Sequence, residues 1–437
     1  MSEHETALPA AAASAGKPSI KVALLASAGA AVEWYDFFVY GTAAALVFPK
    51  LFFAADLPQF VAQIAAFSTF AVGFIARPIG GMLFGHLGDV HGRKRAFVLA
   101  MLMMGGATTL IGLLPSYAAI GALAPLLLVV LRFVQGLAVG GQWGGAVLLA
   151  IESAPPQRQG FYGSFVQIGV PIGLVLANAV FLLASVLMDS RAFTAWGWRI
   201  GFLISVVLVF IGMYIHLKIA EPDDALAAKA RQPAAKGSPL LTVLREHGSS
   251  VLLAGGAFVA NNVCFYLLIT YAVAYGTATV GIPREVLLFA VMFASATMSP
   301  VLIFAGALSD RFGRRGIFLL GAALSGFWAF AVFPLIETGS PFAVTLGITV
   351  ALFFVSLMYG PQAALFAELF PKHVRYSGAS LGYQVGTVVG GGFAPMIATA
   401  LFARYQSSLP IAIYLCAMCA ISFVSVLLLG KRRYAPH

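Results

Sequence analysis

Charged residues are scarce in this sequence, and cysteine is almost absent. Only 10% of the 437 residues are Asp, Glu, Lys or Arg, against roughly 25% in ordinary soluble domains. Hydrophobic residues make up 60% of the chain, and the mean hydropathy is +0.93. This composition excludes a soluble globular protein and indicates a chain embedded in a lipid bilayer.

The few cysteines do not point to a metal site. Cys264, Cys416 and Cys419 all fall within apolar stretches, and the CxxC pair has no further ligand residues at metal-binding spacing. No embedded His cluster or Ser/His/Asp set appears, so the sequence does not favour an enzyme or a receptor. We expect no metal or organic cofactor. Residues 1–20 lack the apolar core of a signal peptide and are predicted to form a disordered cytoplasmic tail.

Long apolar runs occupy most of the remaining chain. They are continuous, whereas the strands of a membrane barrel would alternate, so they predict helices. Twelve runs reach the roughly 20 residues needed to cross a bilayer, which predicts an all-α integral membrane protein with twelve transmembrane helices. The approximate spans are 21–48, 59–85, 96–114, 122–152, 161–188, 197–219, 248–276, 285–308, 316–336, 342–368, 377–402 and 410–430.

The formal net charge of +10 reflects topology. We count 19 Lys and Arg residues in the tails and even-numbered loops, against 5 in the odd-numbered loops. By the positive-inside rule both termini are cytoplasmic. The excess of basic residues therefore does not indicate nucleic-acid binding. The expected partner of the protein, besides its small-molecule substrate, is the lipid bilayer.

An internal repeat relates the two halves of the chain. In GHLGDVHGRKR (85–95) and GALSDRFGRRG (306–316), the residues that match at a spacing of 221 are Gly85, Asp89, Gly92 and Arg93 with Gly306, Asp310, Gly313 and Arg314. At a spacing of 217 the matches are Arg158, Gln167, Gly169 and Gly173 with Arg375, Gln384, Gly386 and Gly390. The repeat predicts two pseudo-symmetric six-helix bundles with the substrate path between them. The predicted boundaries are 21–220 and 247–430 for the bundles, 221–246 for a cytoplasmic linker and 431–437 for a cytoplasmic tail.

These motifs resemble a known family. GHLGDVHGRKR is similar to the signature loop of the major facilitator superfamily, which also has a second copy where GALSDRFGRRG lies. EWYDFFVYG, ARPIGG, RFVQGLAVGGQWGG, WGWRIGF and VRYSGASLGYQVGTVVGGG resemble its metabolite:proton symporters, which include shikimate, α-ketoglutarate, citrate and proline/betaine transporters, the shikimate transporters being most similar. The resemblance implies a monomeric carrier in a bacterial-type inner membrane that imports a small organic acid with a proton by alternating access.

Glu33 and Asp36 lie far from the predicted helix ends, unlike the other acidic residues. Asp36 is about 22 Å along its helix, and a charge near the bilayer centre costs roughly 2.5 to 3.5 kcal/mol unless it is paired or faces a cavity. Burial and a nearby cation change the proton affinity of a carboxyl group in opposite senses. We therefore predict that Asp36, with Glu33, couples transport to a proton. The alternative is a static salt bridge with Arg132 or Arg77.

Arg132 and Arg77 are the embedded cations. A guanidinium presents a planar fork to a carboxylate, so both are predicted to bind a substrate anion, Arg132 together with Gln135 one turn later. The alternative is that both only neutralise the two embedded acids. Further residues predicted to line the substrate site are Tyr35, Tyr40, Gln167, Asn261, Asn262, Tyr266, Tyr359, Gln362, Tyr383 and Gln384. Because Gln167 and Gln384 are repeat mates, we expect them to face the same axis from opposite halves.

The two repeated loops are predicted to form a cytoplasmic gate. Their glycines allow close helix approach, and an aspartate can meet the positive end of a helix or an arginine. The resemblance implies ion pairs among Asp89, Arg93, Glu152 and Arg158 in one half and among Asp310, Arg314, Glu368 and Arg375 in the other.

One residue departs from the family pattern. Relatives usually carry Glu where this chain has Gln142, and Gln cannot take up or release a proton. A uniporter or exchanger therefore stays open as an alternative. A proton-driven efflux antiporter for organic cations is a further one.

Overall fold

The computed structural model describes residues 20–91, 93–140, 154–219, 245, 247–370 and 375–429. Within these ranges all regular secondary structure is helical. The long helices of the first half are α1 (Ile20–Leu46), α2 (Gln59–His91), α3 (Arg93–Leu113), α4 (Leu123–Val139), α5 (Gln159–Leu187) and α6 (Arg199–Ile219). Those of the second half are α7 (Gly248–Val280), α8 (Arg284–Phe312), α9 (Arg314–Glu337), α10 (Pro341–Glu368), α11 (Gly378–Tyr405) and α12 (Leu409–Leu429).

Length and composition allow these helices to cross a membrane. Among the described residues nine helices qualify as single spans, and a bent pair beginning at Ser190 makes a tenth. The 27-residue α1 and the apolar α4, with 17 described helical residues, complete twelve. The all-helical prediction is therefore confirmed. The far end of the predicted fourth span, 141–152, lies outside the described residues.

The connections at the repeated motif are shorter than the sequence predicted. Residues 85–95 were expected to form a loop, but α2 continues to His91 and α3 begins at Arg93. In the second copy, α8 and α9 are separated by Gly313 alone, which has φ +92°. Glycine adopts this conformation without a steric penalty, so the chain can reverse within one residue.

Helix pairing recurs from one half to the other. In the first half α1 packs against α5 and α6, α4 against α2 and α3, and α3 against α6. In the second half α7 packs against α11 and α12, α10 against α8 and α9, and α9 against α12. Each pairing reappears six helices later, as expected for two related bundles. The bundles meet where α5 packs on α8 and α10, α2 on α11, and α1 on α7.

Two helices of the first bundle touch through their backbones. A Cβ atom at Gly80 on α2 would collide with the carbonyl of Leu137, and one at Gly140 beside α4 would collide with the carbonyl of Arg77. Small residues allow such close approach between membrane helices. This contact places Arg77 of α2 next to the helix that carries Arg132.

Candidate functional site

Two buried arginines, Arg77 on α2 and Arg132 on α4, contact the same aromatic ring of α1. Arg77 is 2% exposed and Arg132 is 0% exposed. Their Cζ atoms lie 4.4 and 4.2 Å from the ring centroid of Phe37 on α1. Cation–π contacts of this kind stabilise a desolvated guanidinium. The Phe37 ring is therefore in contact with both buried guanidinium groups.

Arg132 is enclosed by side chains of its own bundle. Its Cζ lies 4.1 Å from the Tyr40 ring centroid and 4.8 Å from that of Phe70. Its Nη1 donates a hydrogen bond of 2.6 Å to Oε1 of Gln135, the residue predicted to share its helix face. Among the described residues, its Nε and Nη2 find no hydrogen-bond partner.

Arg77 faces the second bundle. Its Cζ lies 4.7 Å from the Phe74 centroid and 5.5 Å from that of Trp34. The Tyr266 ring of α7 packs edge-on against the same Phe74 ring, with centroids 5.1 Å apart. Nε and Nη2 of Arg77 have no hydrogen-bond partner within the described part of the chain. Buried donors left unpaired are costly, and a carboxylate is the acceptor that fits them best.

Asp36 is fully buried without an ion pair to either arginine. Both of its carboxylate oxygens lack a hydrogen-bond partner among the described residues, although the hydroxyls of Thr108 and Ser205 are close by. Gln135 donates to Oγ1 of Thr108 at 2.7 Å and reaches the main-chain oxygen of Asp36 at 3.5 Å. In this conformation a static salt bridge does not hold Asp36. Glu33, one turn earlier on α1, is half-buried.

A small cavity lies between the bundles and is lined in part by Trp34, whose ring centroid is 5.5 Å from Cζ of Arg77. Its volume is about 20 Å³, enough for about one water molecule. The Oδ1 atom of Asn261 has no partner in the described structure, and Nδ2 of Asn262 donates to the carbonyl of Phe258 at 3.2 Å. Five residues of the predicted site line this cavity: Asn261, Asn262, Tyr266, Tyr359 and Tyr383.

The repeat mates Gln167 and Gln384 reach across between the bundles. Nε2 of Gln167 on α5 donates to the carbonyls of Tyr359 and Gly360 on α10, the latter at 3.2 Å. Nε2 of Gln384 on α11 donates to the carbonyl of Gly140, at the end of α4, at 3.3 Å. The acceptor helices α4 and α10 are themselves repeat mates. The two glutamines therefore make equivalent bonds in opposite directions.

Two other residues of the predicted site have different surroundings. The Tyr35 hydroxyl donates to the carbonyl of Gly201 on α6 at 2.8 Å, so it points into the first bundle and away from the cavity. Gln362 on α10 is fully buried, and neither Oε1 nor Nε2 has a hydrogen-bond partner in the described ranges.

The second copy of the repeated motif joins the bundles at the cytoplasmic end. Oδ1 and Oδ2 of Asp310 accept hydrogen bonds from the backbone N–H groups of Gly160 and Phe161, at 2.8 and 2.9 Å. These N–H groups belong to the first turn of α5, where the helix dipole favours a negative charge. A carboxylate of the second bundle thus caps a helix of the first.

Arg314 extends this contact. It forms an ion pair with Glu368, approaches Asp310 Oδ1 at 3.7 Å and donates to Oε1 of Gln159 at 3.2 Å. Arg158 is exposed. The remaining predicted gate positions fall outside what the structure describes: the side chains of Asp89, Arg93 and Arg375, and all of Glu152. Gln142 does so as well.

Close backbone contact at the same end supplies a test of this gate. A Cβ at Gly160 would lie 2.6 Å from the carbonyl oxygen of Gly306 on α8. We expect Gly160→Val to separate α5 from α8 and to speed maleimide labelling of a Ser164→Cys reporter about tenfold, given the usual cost of overpacking. The reporter is placed in a background without the three native cysteines.

The matched control is Gly316→Val, because a Cβ there meets no atom within 4 Å. Equal labelling rates in the Gly160 and Gly316 variants would show that this contact does not hold the cytoplasmic side closed.

Several residues around the site carried no signal in the sequence. Phe37, Thr108 and Ser205 are apolar or small polar residues within apolar spans, where such side chains are common. Trp34 also lines the cavity, and its position within EWYDFF between the two acids was the available clue.

Two pseudo-symmetric bundles with buried polar residues between them define a membrane transport protein. The chain belongs to the Major Facilitator Superfamily, whose family model matches residues 26–395 and 289–437.

Named relatives cover almost the whole chain. It is 41% identical over 420 residues to the inner membrane metabolite transport protein YhjE of Escherichia coli (strain K12), covering 95% of this chain and 94% of that one. It is 42% identical over 419 residues to the shikimate transporter of the same organism, covering 95% of each. The chain is thus an integral inner-membrane transporter and not an enzyme.

Solved structures share its fold at low identity. The D-xylose-proton symporter superimposes with a TM-score of 0.73 at 18% identity, covering 94% of this chain and 97% of that one. A partially occluded inward-open form of the xylose transporter XylE from E. coli gives 0.72 at 17% identity, with 95% and 98% covered. These structures establish the twelve-helix fold of the superfamily.

Proposed function

We propose that the protein imports a small carboxylate-bearing metabolite together with a proton by alternating access. The proposal rests on Nε and Nη2 of both Arg77 and Arg132, buried guanidinium N–H groups that find no hydrogen-bond partner among the residues the structure describes. An organic anion supplies the acceptors that these donors lack. The chain contains both bundles, so a monomer is proposed as the transporting unit.

Neutral side chains connect the proposed anion site at Arg132 to the proposed proton site at Asp36. Arg132 contacts Gln135, and Gln135 contacts Thr108 beside Asp36. An anion that binds the Arg132 guanidinium would compete with Oε1 of Gln135 for it. If Gln135 were displaced, the polar groups around Asp36 would change. A buried charge without a partner is costly, whereas the protonated acid is neutral. Proton binding at Asp36 is thereby linked to solute binding at Arg132, with Glu33 as the second candidate.

The positive charge of the core argues against export of organic cations. Two guanidiniums lie within one aromatic cluster, while Asp36 forms no ion pair with them. A cation entering this site would meet like charges. A uniporter or exchanger of a similar anion is the remaining alternative, because Gln142 replaces the acid usual in relatives.

The solute can be found by thermal shift and transport. Purified protein would be screened against shikimate, dicarboxylates, citrate, aromatic acids and betaine, since a solute at 100 times its Kd stabilises the native state by about 2.7 kcal/mol. Shikimate comes first because a relative at 42% identity carries that name. Hits are then assayed for uptake into proteoliposomes under an imposed pH gradient.

We expect a carboxylate to be accumulated when the outside is acidic. Uptake that is independent of the pH gradient would exclude proton coupling. Preferential stabilisation of the protein by lipophilic cations would favour the efflux alternative.

A further inference from the structure

A large apolar groove lies between α8 and α10, near the outer ends of both helices. Its volume is about 600 Å³, within the roughly 300 to 1,000 Å³ typical of small-molecule sites, whereas the central cavity measures about 20 Å³. Its apolar walls are formed by Val286, Phe289 and Phe293 of α8 with Phe342 and Leu346 of α10. None of these residues belongs to the site proposed for the solute.

The walls of the groove belong to the lipid-facing surface of the second bundle. Phe289 and Phe293 are 49% and 45% exposed, and Phe342 is 76% exposed. Residues four positions apart share one face of a helix, so Phe289 and Phe293 form an exposed stripe on α8, as Phe342 and Leu346 do on α10. On helices that cross a bilayer, exposed apolar stripes of this kind contact lipid hydrocarbon. The surrounding medium of the groove is therefore lipid.

The groove follows the two helices into the outer leaflet. It extends from Glu285 to Phe293 on α8 and from Pro341 to Thr349 on α10, which is about 12 Å along each helix at 1.5 Å per residue. One leaflet contributes about half of a hydrocarbon core that is about 30 Å thick. Because both helices begin at the outer side, the depth of the groove matches that of an acyl chain in the outer leaflet.

Opposite charges lie at the outer end of the groove. Nε of Arg284 donates to Oε1 of Glu285 at 3.0 Å, and their side chains are 16% and 36% exposed. Pro341, which lines the same groove, begins α10, whose first turn has no acidic residue and no side-chain cap, so the positive end of this helix dipole also favours an anion. A phosphate group would find a guanidinium and a helix N-terminus here, and an ammonium group would find the Glu285 carboxylate.

We propose that this groove binds one phosphatidylethanolamine molecule of the outer leaflet, with an acyl chain between α8 and α10, the phosphate at Arg284 and the ammonium at Glu285. Charge complementarity selects this lipid. Phosphatidylglycerol would bring a net negative charge to Glu285, and phosphatidylcholine has no N–H group to donate to it. The Arg284 guanidinium also lies 4.0 Å from the ring centroid of Phe193 in the first half, so the headgroup is held where the two halves meet at the outer side. This site is independent of the solute.

Native mass spectrometry of the delipidated full-length protein tests the headgroup assignment. Phosphatidylethanolamine and phosphatidylglycerol with the same acyl chains are titrated into the protein in detergent. We expect the first phosphatidylethanolamine to bind about tenfold more tightly than phosphatidylglycerol, the factor that one charge-assisted hydrogen bond supplies. Glu285→Gln should remove this preference. Asp56→Asn is the matched control, because Asp56 is an exposed acid of the connection between α1 and α2 and does not line the groove. Equal affinity of the wild type for the two lipids would overturn the proposal.

Leu346→Trp tests the acyl-chain site in the same titration. The indole would occupy part of the groove, so we expect phosphatidylethanolamine to bind about tenfold more weakly, since a closely packed site does not accommodate both groups. Phe353→Trp is the matched control, because Phe353 is 40% exposed on α10 and does not line the groove. Phosphatidylethanolamine binding that is unchanged in both Glu285→Gln and Leu346→Trp, or a dimer of the protein that carries no lipid, would overturn the proposal.

Discussion

Asp36→Asn should abolish accumulation of the solute while leaving exchange measurable. Asparagine has nearly the same shape as aspartate but carries no titratable proton. Because neither carboxylate oxygen of Asp36 has a hydrogen-bond partner in the described structure, the substitution removes no bond from the native state, and the protein should fold and insert normally. A one-proton carrier can concentrate a solute by about tenfold per pH unit, each tenfold ratio being worth about 1.4 kcal/mol.

The measurement is the steady-state accumulation ratio in proteoliposomes with the outside one pH unit more acidic. The wild type should approach the tenfold limit, and Asp36→Asn should equilibrate near a ratio of one. Asp56→Asn serves as the matched control, because Asp56 is exposed in the connection between α1 and α2. If the Asp36→Asn protein still accumulates solute, Asp36 is not the coupling residue and Glu33 becomes the candidate.

Arg77→Lys should weaken solute binding by about 100-fold, within the 2 to 5 kcal/mol that breaking a buried charge pair costs. Lysine keeps the charge but loses the planar fork and the stacking on Phe37 and Phe74. A 100-fold weaker Kd would reduce the stabilisation by solute from about 2.7 to about 0.4 kcal/mol at the same concentration.

Thermal unfolding with and without the best carboxylate from the screen measures this change. Arg199→Lys is the matched control, because the Arg199 guanidinium also stacks on an aromatic ring, that of Trp198, but lies at the outer end of α6. A full thermal shift in Arg77→Lys would exclude Arg77 from the anion site and leave Arg132 as its ligand.

The sequence predicts the helical fold well because the bilayer permits few alternatives. Apolar length identifies the spans, and the matches between 85–95 and 306–316 reveal the duplication before any contact is known. Boundaries at the motif were less accurate, since a run such as GHLGDVH contains turn-forming and charged residues but remains helical to His91.

The partners of the embedded charges could not be predicted. Two acids balance two arginines, so counting cannot choose between neutralisation and anion binding. The structure packs both guanidiniums against Phe37 and leaves Asp36 without an ion pair among the described residues. The rotation of each helix about its own axis decides this outcome. Apolar faces on all sides of a membrane helix give little information about rotation, which is also why Tyr35 was expected in the cavity and instead contacts α6.

The backbone contact between α2 and α4 has a consequence for which solutes the protein selects. With no room for a Cβ at Gly80 or Gly140, these helices cannot slide apart without losing their packing, so Arg77 and Arg132 should travel as one rigid unit through the transport cycle. The distance between Arg77 and Arg132 would then be the same whether the solute enters from one side of the membrane or from the other. Selection of solutes by their length would then belong to the first bundle.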